Sequence, residues 1–189
     1  MDYKRSIFTS TSWWLNLSGL LLLLAFAQCS NPQKQDSSKA TLPSHKYHYS
    51  DKTTEGFSYA EKVYVPVYSE IYHYSGHSRY SLTATLSLRN TSMRDTMLVQ
   101  NVDYYDSQGA LLRKYLEKSI LLHPLESVEF VVEYTEREGG PGANFIIDWA
   151  ADKTSLKPVF QAVMVATQDQ QGLSFLTQGV VVEQRTTAN

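Results

Sequence analysis

From about residue 61 the chain alternates apolar and polar positions with a period of two. In Lys62-Val63-Tyr64-Val65-Pro66-Val67-Tyr68 the valines fall on one face and Tyr64, Pro66 and Tyr68 on the other. Successive strand side chains point to opposite faces, so this spacing predicts a half-buried strand. Proline withholds a ladder donor, which assigns that strand to a sheet edge. Leu82-Thr83-Ala84-Thr85-Leu86-Ser87-Leu88 is the cleanest alternation, with hydroxyls outward, and Asn90-Thr91-Ser92 ends it. Further strands are predicted over Met97 to Tyr105, Leu111 to Leu116, Val159 to Thr167 and Leu173 to Val182. Val128, Phe130 and Val132 make one inward face, with Glu129 and Glu133 outward. Phe145, Ile147 and Trp149 make another.

Two loops share one chemistry. Asp106-Ser107-Gln108-Gly109 and Asp169-Gln170-Gln171-Gly172 each sit between β-rich runs. Asp bonds its own backbone two residues on, and Gly takes positive φ, so both loops read as antiparallel hairpins. No window from 61 to 185 sustains a helical period. The prediction is an all-β chain: an immunoglobulin-like antiparallel sandwich of about seven or eight strands, with a small closed barrel as the alternative.

The N-terminal part has a different pattern. Lys4 and Arg5 precede an apolar run from Trp13 to Ala27, broken only by Asn16, Ser18 and Gly19. That is shorter than the roughly 20 residues a membrane-spanning helix needs, and matches a secretory leader. Residues 1–28 are therefore expected to be a signal peptide. Two cleavage sites compete. Ala25-Phe26-Ala27 is an A-x-A site, and a cut after Ala27 releases a soluble protein starting at Gln28. A cut one residue later leaves Cys29, the only cysteine, as the new N-terminus. The segment resembles a bacterial lipobox, although Phe26 and Gln28 stand where leucine and a small residue are usual. A thiolate is the nucleophile that takes a thioether-linked lipid, and several acyl chains make the attachment stable. On this reading Cys29 is the lipid attachment site and the membrane a partner.

Residues 29–57 are rich in Ser, Lys, Gln, Thr and Pro without apolar periodicity, and read as a flexible tether. The domain is then 58–185, with 186–189 a tail. The formal charge of −2 becomes −3 once Asp2, Lys4 and Arg5 leave with the leader, too little positive charge for a nucleic-acid partner. The single cysteine leaves core packing to hold the fold without an internal disulfide.

VPVYSEIYH, LTATLSLRNTS, VDYYDSQGALLRKYL, GGPGANFIIDW and AVMVATQDQQGLSF together resemble a family of small bacterial lipoproteins catalogued as domain of unknown function 3124. The resemblance covers roughly residues 63 to 182. It implies an exported, usually lipid-anchored bacterial domain and transfers no catalytic residue; the expected location is the cell envelope, facing the periplasm from the inner or the outer membrane.

Candidate chemistry is sparse. Gly139-Gly140-Pro141-Gly142-Ala143-Asn144 lacks the Lys-Ser/Thr pair and following helix of a phosphate cradle, and reads as a strand connection. His73 and His77 flank Ser75-Gly76 with no third ligand beside them, while His45 and His48 contribute only if the tether folds back, so neither metal nor cofactor is expected. No nucleophile elbow is present. Asp103, Tyr104 and Tyr105 form a polar, aromatic strand end that suits contact with a sugar or peptide, since Tyr offers rigid stacking area and a hydroxyl. The expected role is a non-catalytic binding or accessory module for an envelope protein or glycan. The alternative is a small envelope hydrolase, which needs Asp103, Asp106, Glu133, Asp148 or a histidine to converge in one cleft.

Overall fold

A computed structural model describes residues 47–154, 156–167 and 172–187. The leader, Cys29, the tether up to residue 46 and Asp169, Gln170 and Gln171 of the second predicted hairpin loop lie outside them. Among the described residues are thirteen strands and two 3-10 turns, and no helix long and apolar enough to cross a membrane.

Two open antiparallel sheets face each other. The first contains β1 (His48–Ser50), β8 (Ser119–Leu122), β6 (Met97–Tyr105), β10 (Asn144–Ala151), β2 (Tyr59–Pro66) and β13 (Val180–Thr186), in that order, with β7 (Leu111–Lys114) also pairing β6. The second runs β12 (Leu173–Gln178), β11 (Val159–Ala166), β5 (Thr83–Arg89), β9 (Ser127–Val132). β3 (Glu70–His73) and β4 (Ser75–Ser81) form a separate hairpin. Both main sheets keep free edges, so the fold is a sandwich and the barrel alternative fails.

The inner faces are those the alternation predicts. Val63, Val65 and Val67, with Phe145, Ile147 and Trp149, meet Leu82, Ala84, Leu86 and Leu88 and Val128, Phe130 and Val132, all buried in one core. Trp149 faces Phe160 of the opposing sheet at 6.1 Å between ring centroids. Its indole N–H donates to Glu61 at 3.1 Å, and the Tyr59 hydroxyl donates to the same carboxylate. That bond and burial push the Tyr59 phenol up to about 12, burial being the larger cause.

The structure corrects four expectations. Residues 47–57 are not tether. β1 pairs three residues with β8, and Tyr47 stacks on Phe130. The 3-10 turn Thr54–Gly56 then lays Phe57 over Ala60, Leu98 and Ala150 on the outer face of the first sheet. Thr54 N–H donates to Gln100 Oε1 at 2.6 Å and Ser58 Oγ to the Asp152 carbonyl at 2.8 Å, fastening the segment. Second, β2 is not an edge. It lies between β10 and β13, and Pro66 is tolerated because β13 pairing begins only at Tyr64. Third, Leu173 to Val182 is two strands. The chain leaves the second sheet at Gly179 and enters the first, passing so close to β2 that a Cβ there would lie 2.6 Å from Val63 Cγ1. Fourth, β13 runs on to Thr186, into the expected tail. These additions bring the strand number above seven or eight.

Candidate functional site

The Asp103–Asp106 strand end divides between two faces and a turn. Tyr104 points inward, 2% exposed, against Phe145 at 5.0 Å. Gly139 passes over its ring so closely that a Cβ there would lie 1.9 Å from the phenol oxygen. The buried hydroxyl has no hydrogen-bond partner. Ser69 is close enough to offset part of its shift, but Ser69 Oγ donates to the Gly140 carbonyl at 3.2 Å instead. Burial pushes the phenol up to about 12. Tyr104 is therefore a core residue and not a ligand contact, because the glycine loop caps the pocket its ring fills.

Asp103 and Tyr105 do face outward. Asp103 lies opposite Lys114 on β7 and Ile146 on β10. Burial raises its pKa, the Lys114 charge works against that, and Asp148 adds to it. Asp148 accepts from Asn101 Nδ2 at 2.8 Å and faces Lys62 across β2. Lys62 pairs with Glu183 at 3.2 Å. Asp148, Lys62 and Glu183 line a shallow cleft of ≈ 280 Å³ together with Glu61, Thr54 and Arg185, and Asp103 and Tyr105 lie outside it. The result is a charged, partly aromatic surface whose groups largely neutralise one another.

Asp106 stays in its hairpin, accepting from Gln108 N–H at 2.9 Å and Ala110 N–H at 2.7 Å, with Gly109 at φ 83°. Glu133 follows β9 in the other sheet, and His73 and His77 sit in the β3–β4 hairpin. Of the groups a hydrolase would need together, Asp103 and Asp148 alone share a face. The glycine loop is a close-packed connection, with Gly140 at φ 71° and Ser107 Oγ bridging the Gly139 carbonyl and Gly142 N–H, both at 2.8 Å.

The second sheet presents a different outer face. Leu176, Val163, Thr85 and Val131 lie in register across all four strands. Leu176 is 59% exposed, Val131 41% and Val163 40%, with Val165 beside them. Outward alternation predicts polar residues there, and these strands carry valine and leucine.

One cluster was invisible in sequence. β1 folds His48 back to the turn after β8, where His48, His123 and Glu126 bring ligand-type atoms within 4.8 Å of one another. Their separation of more than seventy residues gives no motif. The local trace is the alternation Tyr47-His48-Tyr49, which has strand periodicity.

Comparison with known proteins adds little to this geometry. No curated protein matches the chain. A solved structure described as Thermotoga maritima 1070 aligns over 64% of this chain and 92% of its own, with 11% identity and a TM-score of 0.38. The family model described as Protein of unknown function (DUF3124) matches residues 60–182, nearly the whole sandwich from β2 into β13. The chain belongs to that family.

Proposed function

We propose that this protein is exported, held at a bacterial membrane by lipid on Cys29, and serves there as a non-catalytic module that docks onto another envelope protein. The observation that carries the reading is the in-register row Leu176-Val163-Thr85-Val131 on the outer face of the second sheet. An apolar stripe open to water suits burial against a partner surface. The scatter of Asp106, Glu133 and the hairpin histidines away from Asp103 and Asp148 weighs in the same direction.

Placing a photo-crosslinking residue at Val163, with a second at the exposed Met93 as control, tests this in intact cells. A reproducible protein adduct is expected from position 163 and not from 93, and Val163→Asp should abolish capture by the wild-type partner. Equal labelling from both positions, or none, removes the docking reading. The anchor is tested separately by the intact mass of the mature protein. A membrane-borne peptide starting at Cys29 with diacylglyceryl mass is expected. A soluble chain starting at Gln28 with a free thiol refutes lipidation and leaves secretion after Ala27.

A second reading rests on the first sheet. Tyr105, Asn101, Asp148 and Lys62 beside the shallow cleft offer the stacking surface and polar groups that suit a glycan. A glycan array separates the two, because binding lost on Tyr105→Ala but kept in Val163→Asp would place recognition on the first sheet.

A further inference from the structure

We propose that His48, His123 and Glu126 form a mononuclear site for a divalent cation of the zinc class. Two imidazoles and a carboxylate are a ligand set suited to zinc, leaving a fourth position for water or a partner's donor. Their ligand atoms lie within 4.8 Å of one another. Tetrahedral zinc with bonds near 2.0–2.1 Å spaces its ligands about 3.3 Å apart. His48 Nε2 is already 3.5 Å from Glu126 Oε1, and the two imidazoles stand 4.5 Å apart between centroids. The remaining gap is at most about 1.5 Å. His48 and His123 are exposed, which leaves them free to rotate and open to an entering ion.

The scaffold under the ligands is rigid where a metal site needs it. His123 to Glu126 is a tight turn closed by Glu126 N–H donating to the His123 carbonyl at 3.0 Å, with proline at its second position and Leu125 at φ 62°. Leucine in left-handed backbone is costly, and such strain persists only where surroundings enforce it. Here Leu125 N–H donates to the Ser92 carbonyl at 3.1 Å. The buried Asn90 amide donates to the carbonyls of Leu122 and His123, both at 3.0 Å. Glu126 spends Oε2 on His123 N–H at 2.7 Å, which leaves Oε1 turned toward His48. Thr96 Oγ1 lies 3.5 Å from His123 Nδ1, the position from which an outer group orients a ligating imidazole. The third ligand arrives on β1, so an ion bound here would tie the first strand to the β8–β9 turn.

The test is zinc titration of the full mature chain, purified without a polyhistidine tag, in competition with a chromophoric chelator. One zinc per chain is expected. His48→Ala, His123→Ala and Glu126→Gln should each weaken it more than about tenfold, while His77→Ala leaves it unchanged. Zinc should also raise the Tm of the wild type and not of His123→Ala. Unaltered protein loaded with cobalt(II) gives a reading independent of whether the variants fold. Intense d–d bands of a four-coordinate ion are expected, with paramagnetic shifts on two histidine rings assigned to His48 and His123. Affinity insensitive to all three substitutions, loss only on His77→Ala, or cobalt showing the weak spectrum of its hexaaquo ion would each overturn the site and leave a plain histidine–carboxylate pair.

Discussion

At Tyr104 a single hydroxyl sits in the core with nothing to bond, although the residue comes from a polar strand end. An unmet buried donor carries its desolvation penalty without return. Tyr104→Phe is therefore expected to be neutral or to stabilise by about 1 kcal/mol, read as a rise in Tm; a loss of several degrees would mean the phenol bonds a group in solution. Its neighbour Asp103 makes a pH-dependent contribution. Its pKa is raised in the folded state above the ordinary carboxylate value, chiefly by burial. The folded chain thus binds this proton more readily than the unfolded one. The ionised carboxylate costs stability above its folded pKa, and that cost fades as pH falls through it. Asp103→Asn should raise the urea midpoint at neutral pH, with the advantage shrinking toward zero below the unfolded pKa. An advantage that instead grew with acid would reverse the sign assigned here.

Elements whose partners come from their own alternation were legible in sequence. β6 matches its predicted span from Met97 to Tyr105, and β5 buries Ala84, Leu86 and Leu88 as predicted, with Leu82 buried just before it. The Asp106 turn could be read from side-chain chemistry alone. What escaped depends on distant partners. β1 is three residues long, too short for a period to register, and exists because β8 offers an open edge. The 3-10 turn after it is followed by one apolar residue, Phe57, whose burial is decided by Leu98 and Ala150 from other strands. Sequence therefore read the segment as a leash. The metal-type cluster was lost for the same reason, since His48 belongs to that segment. If Phe57 fastens it, Phe57→Ala should cost about 3 kcal/mol in denaturant unfolding and speed hydrogen exchange at β1. A cost within a few tenths would return residues 47–57 to the tether.

Across the whole molecule, the sheets are joined by chain as well as by packing. Gly179 hands the chain from β12 to β13 with no residue to spare, which links the two layers covalently in a domain that contains no cysteine. Charge is spent locally in pairs such as Lys62 with Glu183 and Lys153 with Asp95, so neither outer face carries a strong field. What distinguishes the faces is texture: aromatic and ionic on the first sheet, apolar on the second. The strand order also places β1 at one margin of the first sheet and β13 at the other. A pull delivered through the N-terminal segment therefore loads β1 before any core strand. Its three residue pairs with β8 form a mechanical fuse. Releasing His48 to Thr53 would pay out roughly 20 Å of chain while the fastening from Thr54 onward and the sandwich stayed in place. A protein held at a surface by its N-terminus would thereby gain reach under tension at the expense of the His48 contact.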